Sequence, residues 1–235
     1  MSRGERLDRW LAHRSTLSRQ DVRLAVKNGW VQVNGELATQ VERRVLPGDV
    51  VMLDDTEIID TGLRYFMLNK PAGHLCANED SEHPLVVDLL AAEVNARALQ
   101  IVGRLDLDAT GLVLLTDDGQ WNHRVTAPAR QCGKTYTVTL ASPLAAEAKQ
   151  ALENGVLLHH ETHPTRPATV LQTEDPRVIR LTIHEGRYHQ VKRMLAAVGN
   201  HVTALHREAI GGIALDPLLP SGGYRALTTA EVALV

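Results

Sequence analysis

The stretch Gly103-Arg104-Leu105-Asp106-Leu107-Asp108-Ala109-Thr110-Gly111-Leu112-Val113-Leu114-Leu115-Thr116-Asp117-Asp118-Gly119 decides how this chain is read. From Gly111 to Thr116 it is a short continuous apolar run closed by the turn signal Asp117-Asp118-Gly119, the pattern of a buried strand. Ahead of that strand an arginine and two carboxylates crowd a turn bounded by glycines. An ionisable cluster therefore sits at the mouth of a sheet with hydrophobic core directly behind it. Asp-x-Asp before a strand is commonly turn chemistry alone, its side chains bonding nearby backbone amides. The spacing by itself favours that reading, so the rest of the chain has to decide.

The 235 residues allow one large domain, or a small one joined to a medium one. Hydrophobic residues at 44% and charged residues at 23% are ordinary globular composition with ample material for a core. No run approaches the roughly 18 apolar residues of a membrane span, and charge from Arg3 onward leaves no visible signal peptide. Cys76 and Cys132 are the only cysteines, which fits a reduced cytosol better than a disulfide framework. A net charge of −3 argues mildly against a nucleic-acid partner, but the average hides a gradient. Residues 1–50 carry +3, residues 51–60 carry −4 through Asp54, Asp55, Glu57 and Asp60, and the remainder carries −2. A small basic module, an acidic joint and a nearly neutral body are thus expected.

In the basic module Leu7, Trp10 and Leu11 have helical spacing, and Ser18 caps a second helix with Val22 and Val26 on its apolar side. Arg19, Arg23 and Lys27 recur every four residues and share one face of it. Asn28-Gly29 ends the helix, Trp30-Val31-Gln32-Val33-Asn34-Gly35 reads as strand and turn, and Val45-Leu46-Pro47-Gly48-Asp49-Val50-Val51 closes the unit. The initial Arg-Leu-Asp, the Ser-Arg opening the second helix, the Gly-x-Val-x-Val-Asn-Gly hairpin and the final Pro-Gly-Asp together resemble the S4 RNA-binding domain. That resemblance implies an RNA-binding unit over residues 1–60, with Arg19, Arg23 and Lys27 touching phosphates, contacts that position a ligand without reading its sequence.

Over residues 61–235, strands are expected at Arg64–Asn69, Lys134–Leu140, Ala168–Gln172, Val178–Ile183 and His201–Leu205. Helical patterns run from Pro84 to Val94, Trp121 to Val125, Pro143 to Gly155 and Gly186 to Val198. Single helices among runs of strands argue for an α+β domain around a mixed or antiparallel sheet.

The 11 histidines invite a metal reading, which fails on its donors. His159, His160 and His163 have only Glu161 beside them, short of a convergent ligand set with a supporting second shell. His184-Glu185 followed by His189 misses the zinc-protease spacing, because Tyr188 stands where the second histidine is needed. No Gly-x-Ser-x-Gly and no phosphate-cradling glycine loop is present either. What remains is the basic segment Gly186-Arg187-Tyr188-His189-Gln190-Val191-Lys192-Arg193-Met194, with Val191, Leu195 and Val198 facing a core and His189, Lys192 and Arg193 pointing elsewhere.

Asn69-Lys70-Pro71-x-Gly73, Gly103-Arg104-Leu105-Asp106, Lys134-x-Tyr136 and Gly186-Arg187-x-His189-Gln190-Val191-Lys192-Arg193-Met194 resemble, in order and spacing, the motifs of the RsuA family of rRNA pseudouridine synthases. Trp121 to Tyr136 and the ending Leu205-x-Arg207-x-x-Ile210-Gly211-Gly212 look most like its small-subunit members. The resemblance implies isomerisation of uridine to pseudouridine in 16S rRNA, on naked RNA or an assembly intermediate, by a monomeric cytoplasmic enzyme needing no cofactor or metal. It makes Asp106 the catalytic carboxylate, attacking ribose C1′ or removing a ribose proton. Tyr136 would stack on the uracil, and Lys192 would be the basic partner of Asp106, with Arg193 as fallback. Lys70, Arg104, Lys134 and Arg193 would contact the RNA and Leu205 would form pocket wall. Asp108 would secure the loop. One position departs: the family usually has threonine where this chain has Ala109, leaving Thr110 to supply a hydroxyl. Large-subunit specificity, or a non-catalytic RNA-binding assembly factor on the same fold, are the competing readings.

Overall fold

Apolar spacing in the first fifty residues becomes two packed helices and a small sheet. The computed structural model describes residues 4–60, 62–127 and 130–235. After β1 (Glu5–Arg6), α1 (Leu7–Arg14) and α2 (Arg19–Lys27) bury Leu7, Trp10, Leu11, Val22 and Val26 in one core. Ser18 caps α2 in a reciprocal box: its hydroxyl accepts from the Asp21 amide, and the Asp21 carboxylate accepts from the Ser18 amide. The hairpin of β2 (Val31–Val33) and β3 (Glu36–Leu37) turns through Asn34 and Gly35, both at positive φ, as a two-residue primed turn demands. Strands β4 (Arg44–Val45), β5 (Val51–Leu53) and β6 (Thr56–Glu57) complete the unit, with β4 paired to β1 and β5 and β6 extending the hairpin sheet.

The body is built on a nine-stranded mixed sheet. Its central path runs β11 (Thr169–Gln172), β12 (Val178–Ile183), β10 (Lys134–Leu140), β13 (Val202–Ile210), β9 (Thr110–Thr116), β7 (Tyr65–Lys70) and β15 (Tyr224–Ala226). The short strands β8 (Gln100–Val102) and β14 (Ile213–Ala214) join β9 and β13 at the side. Among the described pairings β13 with β9 is parallel and the others within this sheet are antiparallel. Helices α3 (Gly119–Thr126), α4 (Ala146–Asn154), α5 (Gln190–Ala197) and α6 (Thr229–Val232) pack around it.

The continuous apolar run in β9 has a plain cause. Val113 and Leu115 join the larger core with Leu68, Val138 and Leu195, while Leu112 and Leu114 join a second core with Met67, Trp121 and Ile210. A strand covered on both faces cannot alternate. Asp117 and Asp118 then have assigned work. Asp117 takes the Arg64 guanidinium at 2.8 Å, and Asp118 caps α3 through the amides of Gln120 and Trp121.

Four expected elements differ. The helix expected from Pro143 starts only at Ala146, after the N-cap Ala145. Pro84–Val94 forms only a 3-10 turn at Val86–Leu90, because Leu75 ties down Pro84 and Val86 by backbone hydrogen bonds of 2.8 and 3.0 Å. The helix expected from Gly186 starts at Gln190, its first turn replaced by a tight bend. The strand expected to stop at Leu205 continues to Ile210, held between β10 and β9. The two units touch: Arg9 Nη2 donates to the Asp117 carbonyl at 3.0 Å, and Asn95 donates to the carbonyls of Ala12 and Leu17. Among the described residues no helix is long and apolar enough to cross a membrane.

Candidate active site

Residues 103–109 form the loop between β8 and β9, and two fully buried cations hold it from beneath. Lys70, at the end of β7, donates to the carbonyls of Pro71 at 3.0 Å, Leu107 at 3.0 Å and Ala109 at 2.7 Å. An ammonium has three donors, and all are used. Arg207, on β13, donates to the carbonyls of Leu112 at 2.7 Å, Arg104 at 3.3 Å and Gly103. The first arm of the loop thus rests on Arg207 and the second on Lys70. Among the described residues neither cation forms an ion pair, so backbone carbonyls carry the compensation that a buried charge requires. Burial pushes the Lys70 ammonium below the ordinary lysine range, with Cys76, Asp108 and Asp106 opposing the shift. Gly73 N to the Leu107 carbonyl at 2.8 Å and the Leu105 amide to Cys76 Sγ at 3.4 Å complete the mounting.

Gly111 allows this arrangement. It pairs with Arg207 across the parallel β9–β13 contact at φ +100°, and a Cβ there would stand 2.3 Å from the Arg207 carbonyl oxygen. Only glycine accepts both that angle and that approach.

The loop so mounted turns Asp106 into a cleft of about 810 Å³. Asp106 Oδ2 lies 3.3 Å from Lys192 Nζ, and its Oδ1 lies 3.5 Å from His189 Nε2. Asp108 stays outside the cleft lining with its side chain 72% exposed, yet it takes the shorter contacts to the same lysine, 2.6 and 2.9 Å. The hydrogen bond from Lys192 holds the Asp108 carboxyl below the usual carboxylate range despite partial burial. On Lys192, burial disfavours the ammonium, but the Asp108 hydrogen bond and the charges of Asp106 and Asp108 outweigh it and raise its pKa. Lys192 therefore bridges both carboxylates, and Asp108 shares the basic partner expected for Asp106 alone.

Tyr136 and Leu205 are buried in the cleft wall on neighbouring strands, and Arg207 Nη1 approaches the Tyr136 hydroxyl at 3.5 Å. Arg104 is exposed at the cleft edge. Lys134 is half-buried inside the cleft, donating to the Cys132 carbonyl at 3.2 Å, and burial pushes its ammonium down. Arg19, Arg23 and Lys27 are exposed along α2.

Three expectations are corrected. Lys70 is fully buried beneath the loop and has no surface to offer RNA. Arg193 does not pair with Asp106 and stands outside the cleft lining. Its guanidinium is committed to the carbonyls of Tyr188 and His159 and to Glu161. The Thr110 hydroxyl does not replace a threonine at Ala109, since it meets His206 Nδ1 at 2.9 Å, while Ala109 packs in the core. Arg207 carries no expected role, since the sequence pattern ends the strand at Leu205. A lone cation on an extended strand between Leu205 and Ile210 is the signal that points to it. The rings of His159 and His160 lie 3.7 Å apart, and among the described residues no group of three or more His, Cys, Asp or Glu is placed to hold a metal.

Comparison with known proteins shows the family. Residues 64–197 match the RNA pseudouridylate synthase family model, and residues 5–51 match the S4 domain. The chain is 49% identical over 231 residues to ribosomal small subunit pseudouridine synthase A of Escherichia coli (strain K12), covering 98% of this chain and 99% of that protein. It is 44% identical over 229 residues to the protein of the same name from Haemophilus influenzae, covering 97% of each. A crystal structure described as a pseudouridylate synthase superimposes with a TM-score of 0.69 at 43% identity, over 97% of this chain and 98% of that one. The chain belongs to the RNA pseudouridylate synthase family and carries an S4 domain ahead of its catalytic sheet.

Proposed function

We propose that this protein isomerises a uridine of small-subunit 16S rRNA to pseudouridine, with Asp106 as the catalytic carboxylate. The observation that carries the reading is the position of Asp106: it projects into the cleft beside Lys192 and His189, with Tyr136 and Leu205 in the same cleft. A base inside a helix cannot reach such a carboxylate, so the target uridine leaves its stack and enters the cleft. Asp106 acts on the ribose, the N1–C1′ bond breaks, and the uracil turns while held against Tyr136. C5 then bonds to C1′ and its proton is lost as N1 gains one. Atoms and electrons balance within the nucleotide, so the reading calls for no redox group, nucleotide or metal. Lys192 keeps positive charge beside the carboxylate, while Arg104 and Lys134 guide the backbone into the cleft.

The small-subunit target rests on the names of the two relatives with near-complete coverage. Residues 1–60 act as the RNA-docking platform and 61–235 as the catalytic unit, in a monomeric cytoplasmic enzyme that works on rRNA or an assembly intermediate. Asp106→Asn is expected to abolish tritium release from C5-labelled uridine in 16S rRNA while RNA affinity stays within about twofold. An active Asp106→Asn enzyme would sink the assignment. Mapping pseudouridine in rRNA from cells with and without the protein identifies the subunit and the position.

A further inference from the structure

The bend that replaces the first turn of the expected helix is built to present two rings. Tyr188 and His189 stack with centroids 3.9 Å apart and planes 18° from parallel, and both line the cleft. Tyr188 is 77% exposed, so His189 covers one face and the other is open to solvent. Among the described residues no hydrogen bond holds the phenol, and the stack alone orients the ring.

The backbone beneath is fixed. Buried Gln190 accepts from the Arg187 amide at 2.8 Å and donates to Glu185 at 2.9 Å. Arg187 donates to the carbonyls of His163 and Pro164 at 2.9 and 2.8 Å, and Arg193 donates to the Tyr188 carbonyl at 3.1 Å. These contacts hold His189 at φ 46°, ψ 38°, a left-handed conformation sparsely used outside glycine. Strain that surroundings over-determine concentrates where a side chain must be aimed. Here it brings Nε2 of His189 to 3.5 Å from Asp106 while Tyr188 stacks on the same ring.

Resting on the reading of the cleft as a uridine-isomerising site, we propose that the open face of Tyr188 is a stacking platform for an unpaired nucleobase adjacent to the target uridine. Tyr136 is buried in the wall and takes the reacting base. Tyr188 is a second, outer aromatic, one residue from a contact to the same carboxylate. When a nucleotide leaves its helix, its strand neighbour loses a stacking partner and stays within one backbone repeat of the cleft mouth. An exposed π-face there replaces the lost partner with little regard to base identity, worth about 1–3 kcal/mol per base. The Tyr188–His189 pair then extends to a three-layer stack ending on the RNA.

The test uses the full-length protein and a C5-tritiated 16S rRNA transcript, reading both the dissociation constant and the single-turnover release rate. Tyr188→Leu keeps an apolar side chain but removes the π-face, Tyr188→Phe keeps the π-face, and Leu218→Ser is a control at another highly exposed apolar position outside the cleft lining. The platform predicts a loss of affinity of about 5- to 150-fold for Tyr188→Leu, recovered by Tyr188→Phe and absent from Leu218→Ser. The loss is larger in affinity than in the release rate at saturating enzyme. Equal affinity of Tyr188→Leu and wild type, or an equal loss in Tyr188→Phe, overturns it. Absence of tritium release by the wild type counts against the uridine reading instead, since the affinity comparison reads the platform separately.

Discussion

Asp106 and Asp108 are chemically identical, two residues apart, and contact one lysine, yet they differ in what lies behind them. Asp106 faces the cleft with one oxygen toward the Lys192 ammonium and the other toward the His189 ring, whereas Asp108 is mostly in solvent and takes the shorter contacts to Lys192. What separates them is the loop conformation, and that depends on Lys70. Replacing its ammonium by a thioether of similar length strands the carbonyls of Pro71 and Ala109 and leaves that of Leu107 with the Gly73 amide alone. At about 1–3 kcal/mol per buried unpaired group, Lys70→Met is expected to destabilise by about 3–5 kcal/mol. A shift of the carboxylate by an ångström is worth on the order of 100-fold in rate. Thermal melts and single-turnover rates below the melting temperature should therefore both fall. A variant with unchanged melting temperature and rate would remove Lys70 from the mounting.

At the scale of elements, the site depends on one parallel contact in a sheet otherwise paired antiparallel. β13 delivers Leu205 to the cleft wall and Arg207 beneath the loop, and β9 continues directly from that loop. Their backbones approach at Gly111, where no Cβ fits. Gly111→Ala must separate the strands or tilt β9, and with φ near +100° the strain adds to the clash. The expected result is an insoluble protein or one destabilised by more than about 4 kcal/mol, measured by denaturant unfolding of the recovered material. A normally stable Gly111→Ala enzyme would show that the two backbones lie farther apart at this point.

For the whole molecule, net charge is a poor guide to partner. A chain at −3 overall carries an exposed row of Arg19, Arg23 and Lys27 on α2. The triple variant Arg19→Ala, Arg23→Ala, Lys27→Ala is expected to lower the dependence of log affinity on log salt by about 2 to 3 and to leave the release rate at saturating enzyme little changed. An unchanged salt slope would take the row out of RNA docking. Contacts from Arg9 and Asn95 tie the S4 domain to the body of the molecule.

Local chemistry made several parts readable without coordinates. Ser18 caps α2 because a hydroxyl three residues before Asp21 satisfies free amides. Lys134–Leu140 is a strand because its alternation matches a sheet with one face buried. Ordered motifs also brought Asp106, Tyr136, Lys192 and Leu205 to notice together, and the structure places Asp106 beside Lys192 and Tyr136 beside Leu205 in the cleft wall. The destinations of the other cations were not readable. Lys70 and Arg193 look like RNA contacts in sequence because a basic residue beside a turn or on a polar helix face is usually solvated. Whether it is solvated depends on which carbonyls another strand brings within reach. For Lys70 these come from the loop before β9, for Arg193 from residues far along the chain, and for Arg207 from the loop before the strand it pairs with. Periodicity determined which segments form helices and strands. Tertiary packing decided which charges meet RNA and which hold the backbone, because a buried cation is stabilised by partners remote in sequence.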